Sequence, residues 1–506
     1  MESMSEQQRY RIQQEEFVSN HGGSSPLEIL LLMLPNILAI SLTHFVLLKY
    51  GRKLPRNIQT FVEFVLNVVP CVLCCTILSE YTIPVSMVML TASVLFSQNI
   101  HLAPKTIRTE RSTKRIPFLT HFRALTNIIT AICILGVDFR VFPRKFAKTE
   151  VYGYSLMDTG VGLFVMANAL VAPEARDFLD IPRTNLMRRF SENARVCIRG
   201  SAPLLVLGFG RFLAVEYSGY QKHVSEYGVH WNFFVTLAFV KIFTSTISSA
   251  ISSKFAGLTG LWIIGMHEYA LSTNGLKEWV LGNTPRVDFV SANREGLVSV
   301  PGYVGLYLIG IAVGRVVHMT FNSARRHALV TRFKVHGVEF VCSKFHLILV
   351  SKLLIMACMS WGVTFFCDSR FGVSRRLTNA GYCFWIVALS TTVLDGLLLV
   401  DIQMDIVRQI VGGKKRSSRS ESKRVTFEDG DSEGEVVRIT PEIFEAVNYN
   451  GLVFFLLANL VTGVVNMSMR TLYVEGLQAL QVIIAYIATV IGVSVILYRR
   501  KIQVKL

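Results

Sequence analysis

The stretch EILLLMLPNILAISLTHFVL, residues 28–47, contains no Asp, Lys or Arg, and its single Glu stands at its first position. An α-helix rises about 1.5 Å per residue, so about 20 residues of this kind cross the apolar core of a bilayer. We interpret the stretch as the first membrane span. Comparable runs recur along the chain, and they predict an all-α fold, a polytopic transmembrane helical bundle with a polar lumen-facing cavity.

The whole composition agrees with a membrane protein, since 51% of the 506 residues are hydrophobic and only 17% are charged. Polytopic bundles are built from such repeated apolar segments. The sequence predicts about thirteen spans, at 28–47, 60–78, 83–98, 122–138, 153–172, 196–215, 231–250, 255–271, 301–319, 341–365, 378–400, 443–468 and 477–498.

Loop charges predict the orientation. An odd number of spans places the termini on opposite sides, and the basic C-terminal tail favours the cytosol. The N-terminus is then lumenal, without a cleavable signal peptide. The expected organisation is a lumenal N-terminal arm (1–27), a transmembrane core (28–401), a disordered cytosolic linker (402–442), two further spans (443–498) and a cytosolic basic tail (499–506). Low hydrophobicity and blocks of charge favour disorder in the linker.

One loop breaks the charge rule. Residues 139–152 fall on the lumenal side in this topology, yet they carry Arg140, Arg144, Lys145 and Lys148. Basic short loops normally stay in the cytosol. A cationic cluster on the disfavoured side is a candidate for chemistry on anionic groups.

The formal net charge of +17 does not indicate nucleic-acid binding. The excess positive charge is spread over many short loops, whereas nucleic-acid binding needs one basic face. Cys71, Cys74 and Cys75 lie together in the second predicted span, but no further Cys or His group accompanies them. We therefore expect helix packing there and no metal site.

Two stretches near the lumenal ends of spans combine polar groups. His223, His230 and Asn232 precede the seventh span, where they suit acid/base chemistry or ligand binding, or form an interfacial belt. Asn293 and Arg294 stand shortly before the ninth span, on the same side, and are candidates for binding substrate or acyl-CoA.

Other polar groups lie within spans, where they are costly and usually face a cavity or one another. Asp158 is one. Asn459 and Asn466 are another pair, seven residues apart and therefore on one helix face. They suit binding of a substrate hydroxyl group, or hydrogen bonding between helices. In the predicted topology all these groups converge on the lumenal face, as an active site there requires.

The chain resembles the inositol acyltransferases of glycosylphosphatidylinositol (GPI) anchor biosynthesis, the family that includes the fungal GPI-anchored wall transfer proteins. The resemblance runs in order from the first twenty residues to the last fifty. It rests on EFVSN with GGS and EI (16–29), VDFRVFPRKFAKTE (137–150), GYSLMDTGVG (153–162), EYGVHWNFF (226–234), residues 291–303 and residues 459–472.

This resemblance implies an enzyme of the endoplasmic reticulum membrane that moves an acyl chain from acyl-CoA, with palmitoyl-CoA expected, to the inositol ring of glucosaminyl-phosphatidylinositol. It implies Asp138 and Lys148 as the catalytic centre. Its partners would be the GPI lipid precursor, acyl-CoA and membrane lipids, with no permanently bound cofactor and no nucleic acid. The sequence does not indicate protein partners.

The chemistry of acyl transfer supports these two residues independently. A hydroxyl that attacks a thioester needs a base for its proton and a donor or positive charge for the developing oxyanion. Asp138 suits the base, while Lys148 could stabilise the oxyanion or keep Asp138 ionised. Arg140, Arg144 and Lys145 could bind the phosphates of CoA or of the lipid, or they could meet anionic headgroups.

Two other classes of protein share these sequence features. A transporter or flippase also needs many spans with buried charges, but the sequence shows no internal repeat and no interrupted spans of the kind those folds use. A non-catalytic subunit of a membrane complex is the third reading. Consumption of a thioester by the purified protein separates an enzyme from both.

Overall fold

The computed structural model describes residues 6–19, 21–97, 108–109, 116–176, 186–218, 224–273, 275–282, 284–326, 330–335, 338–413, 436–437 and 441–504. The helices in these ranges are α1 (Glu6–Val18), α2 (Pro26–Tyr50), α3 (Arg56–Glu63), α4 (Val69–Cys75), α5 (Thr82–Ser97), α6 (Pro117–Gly136), α7 (Leu156–Ala169), α8 (Pro173–Arg176), α9 (Leu186–Ser218), α10 (Val224–Tyr227), α11 (Phe233–Ala250), α12 (Ala256–Thr273), α13 (Leu276–Leu281), α14 (Phe289–Ala292), α15 (Arg294–Arg326), α16 (Lys344–Phe371), α17 (Ala380–Gly413), α18 (Glu442–Tyr449), α19 (Gly451–Ser468) and α20 (Gly476–Arg499). A π-helical turn, Phe64–Val68, joins α3 to α4.

The predicted helical bundle is confirmed. Within the described ranges, nine helical segments are long and apolar enough to cross a membrane. They are Pro26–Tyr50, Arg56–Cys75, Pro117–Gly136, Phe233–Ala250, Arg294–Ser323, Lys344–Phe371, Ala380–Val407, Gly451–Ser468 and Gly476–Arg499. Helices α5, α7, α9 and α12 occupy the other four predicted positions, and α5 and α7 have 16 and 14 residues. The total of thirteen spans stays a prediction.

The predicted linker begins too early. Helix α17 continues without a break to Gly413, so residues 402–413 are helical. Ile402 and Met404 are buried against the bundle, and this apolar contact extends the helix beyond its span. The remainder of the linker lies largely outside the described residues.

Two β pairings were not predicted. Strand β2 (Val330–Val335) pairs antiparallel with β3 (Val338–Ser343), from Val335 opposite Val338 to Val330 opposite Ser343. Strand β1 (Arg108–Thr109) pairs in parallel with β4 (Val436–Val437). The valines of β2 and β3 are residues that favour strands, a local preference that is separate from the long apolar runs of membrane spans.

The first turns of α17 lie at the centre of the bundle. Helices α6, α7 and α15 all pack against α17. Trp385 and Tyr382 of α17 and Tyr303 of α15 are fully buried. The ring centroid of Tyr382 lies 6.1 Å from that of Trp385 and 6.3 Å from that of Tyr303. Large aromatic rings bury extensive apolar area, so this cluster fixes how the helices enter the face that carries the 139–152 loop.

The segment between α6 and α7 is part of the core. Phe139, Phe142 and Phe146 have no exposed surface, and the rings of the last two meet edge to face at 6.2 Å. Phe142 also lies on Gly136, where a Cβ would be 3.1 Å from its ring. Full burial of a Phe side chain contributes about 1.5–3 kcal/mol. This basic loop is therefore held in one conformation.

We expect Gly302→Ala to destabilise the protein strongly. A Cβ at Gly302 in α15 would collide with the backbone carbonyl of Thr378 and lie 2.8 Å from its methyl group. Overpacking of this kind costs about 1–3 kcal/mol. Thermal unfolding in detergent, monitored by size-exclusion chromatography, measures the loss of stability. The matched control is Gly463→Ala in α19, where nothing lies within 4 Å. Equal stability of the two variants would contradict the packing.

Candidate active site

Asp138 stands just past the end of α6, where its side chain meets α19. The Asn466 Nδ2 atom donates a hydrogen bond of 2.8 Å to Asp138 Oδ2. Asn466 Oδ1 is buried and has no hydrogen-bond partner in the part of the chain that the structure describes. Of the two predicted roles for Asn466, the structure shows a contact between elements, with Asp138 as the partner.

Burial governs the electrostatics of Asp138, which is only 8% exposed. Removal of its carboxylate from water raises the pKa of Asp138 to about 6, while the Asn466 hydrogen bond and the charges of Arg144 and Lys148 lower it in part. The carboxyl group therefore changes charge close to neutral pH. A group of this kind can accept a proton under cellular conditions.

Lys148, the second predicted catalytic residue, is held by a carboxylate from another element. Its Nζ lies 2.6 Å from Oε1 of Glu226 in α10, and the two side chains are 38% and 21% exposed. A half-exposed ion pair contributes only about 0–1 kcal/mol to stability. The pair therefore chiefly sets the direction of the Lys148 side chain.

Asp158 was predicted to bind substrate, and the structure places it in the protein core instead. Its Oδ2 accepts hydrogen bonds from Thr149 N (3.1 Å) and Thr149 Oγ1 (2.7 Å), and its Oδ1 accepts one from Arg375 Nε (2.7 Å). Asp158 has no exposed surface. Because Thr149 follows Lys148, this buried pair fixes the backbone that carries Lys148.

Arg144 was predicted to bind a phosphate, but its guanidinium is directed inward. It donates to the carbonyls of Phe142 (2.8 Å), Val137 (3.0 Å) and Phe139 (3.2 Å), and it lies 3.9 Å above the ring of Phe17. These contacts close the loop around Asp138. Burial lowers the pKa of Arg144 to about 10, and the charge of Asp138 opposes that shift. Arg144 stays cationic and stabilises the loop.

The other two cations of the loop lie nearer its surface. Arg140 is exposed. Lys145 Nζ is 2.6 Å from Glu28 Oε1 and 3.5 Å from Glu80 Oε1. Lys145, Glu28 and Glu80 line a surface cavity of about 330 Å³ together with side chains from the start of α2 and α5.

The two predicted polar stretches do meet. The backbone N–H of His230 donates to Asn293 Oδ1 at 2.8 Å, while the imidazole is exposed. Asn232 caps α11, because its Oδ1 accepts from the N–H groups of Phe234 (3.1 Å) and Val235 (3.3 Å). His223 lies outside the described residues.

Arg294 and Asn459 also serve the fold. Arg294 is 2% exposed and donates to the carbonyls of Gly282 (2.5 Å) and Thr284 (3.0 Å), which anchors the segment before α14. Asn459 donates to the Phe455 carbonyl of its own helix at 2.8 Å. These contacts lie within the protein, and the substrate contacts of both residues stay predictions.

Sequence reasoning missed the arginines between α16 and α17. Arg375 reaches Asp158, and Arg376 lies 3.0 Å from Glu295, a fully buried carboxylate that also pairs with Arg286 at 2.5 Å. The signal was present. In the predicted topology this lumenal loop also carries Arg370, so it breaks the charge rule as the 139–152 loop does.

The fold and the site together define a class, a polytopic membrane protein suited to group transfer. A polytopic helical bundle presents a buried carboxylate that titrates near neutral pH, with a lysine close enough to influence it, on the face where the polar segments of α6, α10 and α19 meet. That pairing of a base with a cation suits transfer of a group to a hydroxyl.

Comparison with known proteins supports this class. The GWT1 family model matches residues 10–497. "GPI-anchored wall transfer protein 1" of Yarrowia lipolytica is 33% identical over 98% of this chain and 99% of that protein. "Glucosaminyl-phosphatidylinositol-acyltransferase PIGW" of Bos taurus is 30% identical over 94% and 95%, and the human protein of that name 32% over 76% and 73%. The chain belongs to the GWT1 family, as its sequence motifs predicted.

We expect Asp158→Asn to destabilise the folded protein strongly. It leaves the buried Arg375 charge without its carboxylate, and breaking a buried pair in this way costs about 3–5 kcal/mol. Detergent thermal stability and protein yield report the loss. The double variant Asp158→Asn, Arg375→Met removes both charges and should regain much of the stability. A double variant no better than the single would count against the ion pair as the cause.

Proposed function

We propose that this protein is an O-acyltransferase that moves a fatty acyl chain from acyl-CoA to the inositol ring of glucosaminyl-phosphatidylinositol during GPI-anchor biosynthesis. Membership of the GWT1 family, together with the acyltransferase names of the bovine and human relatives, supports the reaction and its lipid acceptor. The single structural observation that carries the proposal is the buried Asp138 carboxylate, whose pKa the charge of Lys148 lowers.

In the proposed reaction Asp138 is the general base. An inositol hydroxyl oxygen attacks the thioester carbonyl carbon while its proton passes to the carboxylate of Asp138. The tetrahedral intermediate then collapses, the C–S bond breaks, and the CoA thiolate takes the proton back. The products are the inositol ester and free CoA. No acyl-enzyme is needed, and a carboxyl with a pKa of about 6 suits both halves of this proton transfer.

Lys148 has two roles open to it in this scheme. Its charge lowers the pKa of Asp138, which supports a role in keeping the base ionised. Its Nζ could also donate to the oxyanion of the tetrahedral intermediate. Glu226 restrains the side chain in either case, because it holds Nζ at 2.6 Å.

The acyl donor is part of the proposal, with palmitoyl-CoA as the expected form. Arg140 and Lys145 are the loop cations that remain near the surface for a phosphate of CoA or of the lipid. Lys145 would have to exchange Glu28 for that phosphate. Arg144 is not assigned to this task, since its donors hold the loop.

We further propose the endoplasmic reticulum membrane as the location, with the N-terminus and the 139–152 loop in the lumen and the C-terminus in the cytosol. Loop charge and the GPI-related names of the relatives support it. An Asn-x-Thr glycosylation acceptor placed on a polar spacer at Arg140 should be modified in cells, whereas the same insert within residues 414–435 should not. Glycosylation of the second insert alone would show that the protein has the opposite orientation.

Asp138→Asn and Lys148→Ala are each expected to abolish most acyl transfer. Loss of a general base typically costs about 10²–10⁴ in rate. Purified variants are assayed for thioester consumption with palmitoyl-CoA and a glucosaminyl-phosphatidylinositol substrate. For the wild type, kcat/KM should fall as the pH drops through about 6, because protonated Asp138 cannot act as a base.

The matched control is Arg140→Ala, the exposed cation of the same loop. If Arg140 contacts a phosphate, this variant should raise KM and leave kcat nearly unchanged, since it removes binding shared by ground and transition states. Wild-type turnover by Asp138→Asn would overturn the base assignment.

A further inference from the structure

We infer that the described part of the N-terminal arm, residues 6–19 and 21–25, is a positioning element of the active site, which ties the loop of Asp138 to the turn that follows the helix of Asn466. This inference rests on the proposed function only where Asp138 is taken as the base. The arm precedes the first span, and the catalytic roles above give it no task. Its contacts reach the loop that carries Asp138 and the turn that follows the helix of Asn466.

One end of the arm docks beyond the end of α19. The hydroxyl of Tyr10 lies 3.3 Å from Thr471 Oγ1 and accepts the backbone N–H of Leu472 at 3.4 Å. Tyr473 donates to Gln13 Oε1 at 2.7 Å, and its ring meets that of Tyr10 edge to face at 5.4 Å. Helix α1 is polar and has little apolar surface of its own to bury, so these contacts fix its place.

The middle of the arm covers the Arg144 side of the loop. The Phe17 ring lies under the Arg144 guanidinium at 3.9 Å, and the Phe17 carbonyl is 3.4 Å from Arg144 Nη1. Four residues later the His21 carbonyl accepts the backbone N–H of Glu150 at 3.3 Å. A cation over an aromatic face contributes about 0.5–2 kcal/mol, so the arm and the loop support each other.

The far end of the arm is joined to the loop by two glycines. The Ser24 N–H donates to the Tyr154 carbonyl at 2.6 Å. Gly23 has φ +83°, and a Cβ there would collide with that carbonyl and approach Thr149 Cγ2 at 2.8 Å. Gly153 has φ +132°, and a Cβ there would collide with the Gly22 carbonyl. Only glycine allows backbones to approach this closely at such dihedral angles.

The consequence for catalysis follows from where the two partners lie. Asp138 belongs to the loop, and Asn466 stands five residues before Thr471. The charged groups that face Asp138 are Arg144 and Lys148, and the arm contacts Arg144 directly. If the arm is released, the loop can move away from α19, and a displacement of about 1 Å can cost about 10²-fold in rate.

The test compares two neighbouring glycines in the full-length protein. Gly23→Ala should lower kcat by about 10- to 100-fold with little change in KM for either substrate. Its acid limb should also move to higher pH, because a carboxylate that loses its donor is protonated more easily. Gly22→Ala is the control, since nothing lies within 4 Å of a Cβ there and its φ is not positive.

A double-mutant cycle distinguishes this role from general damage to the fold. Asn466→Leu should shift the acid limb in the same direction as Gly23→Ala. If the arm acts through the Asp138–Asn466 bond, the effects of the two substitutions on rate and pH limb are less than additive. Additive effects, or a Gly23→Ala protein with a lower yield but wild-type kcat and pH profile, would overturn the inference.

Failure of the proposed function looks different. In that case Asp138→Asn retains acyl transfer, whatever the glycine variants do. An inactive Asp138→Asn with a kinetically normal Gly23→Ala rejects the arm alone.

Discussion

The buried pair between Asp158 and Arg375 is the constraint on which the active-site face depends. Both side chains are almost completely removed from water, at 1% and 5% exposure, and they come from segments 217 residues apart. A buried charge is tolerated only when it is paired and hydrogen-bonded. Asp158 meets this condition with three donors, one from Arg375 and two from Thr149, and no arrangement of the loop or of the turn before α17 that separates them would be stable.

The turn before α17 contains a strained backbone conformation. Thr378 adopts φ 47°, a left-handed conformation that is unfavourable for a β-branched residue. Its hydroxyl donates to the Arg375 carbonyl at 3.1 Å, and the side chain of Asn379 accepts the Ser374 N–H at 3.0 Å. Strain of this kind costs about 1–3 kcal/mol and persists where surrounding contacts over-determine it. The ion pair and the glycine contact at α15 supply those contacts.

The sequence was sufficient for the long apolar helices and for the convergence of their polar ends, but not for the β pairings or for the end of α17. Apolar runs near 20 residues specify helices whatever their neighbours, and the polar ends of α6, α10 and α19 do meet on one face, as the alternation of loops predicted. The sequence did not predict what each cation does there. The donors of Arg144 point at carbonyls of its own loop, so its role depends on a backbone path that no residue pattern displays. Arg375 finds a partner that only the tertiary fold brings near.

These different roles explain why so much positive charge is retained on the face that the predicted topology assigns to the lumen. Arg144, Arg294 and Arg375 are each committed to carbonyls or carboxylates inside the protein, so they are structural parts whose charge is already matched. Lys148 differs because its pair with Glu226 is half-exposed and worth little energetically. A lysine can leave such a pair at small cost when charge develops nearby. The same buried contacts therefore hold these arginines fixed and leave Lys148 able to respond to the charge of Asp138, as the proposed proton transfer requires.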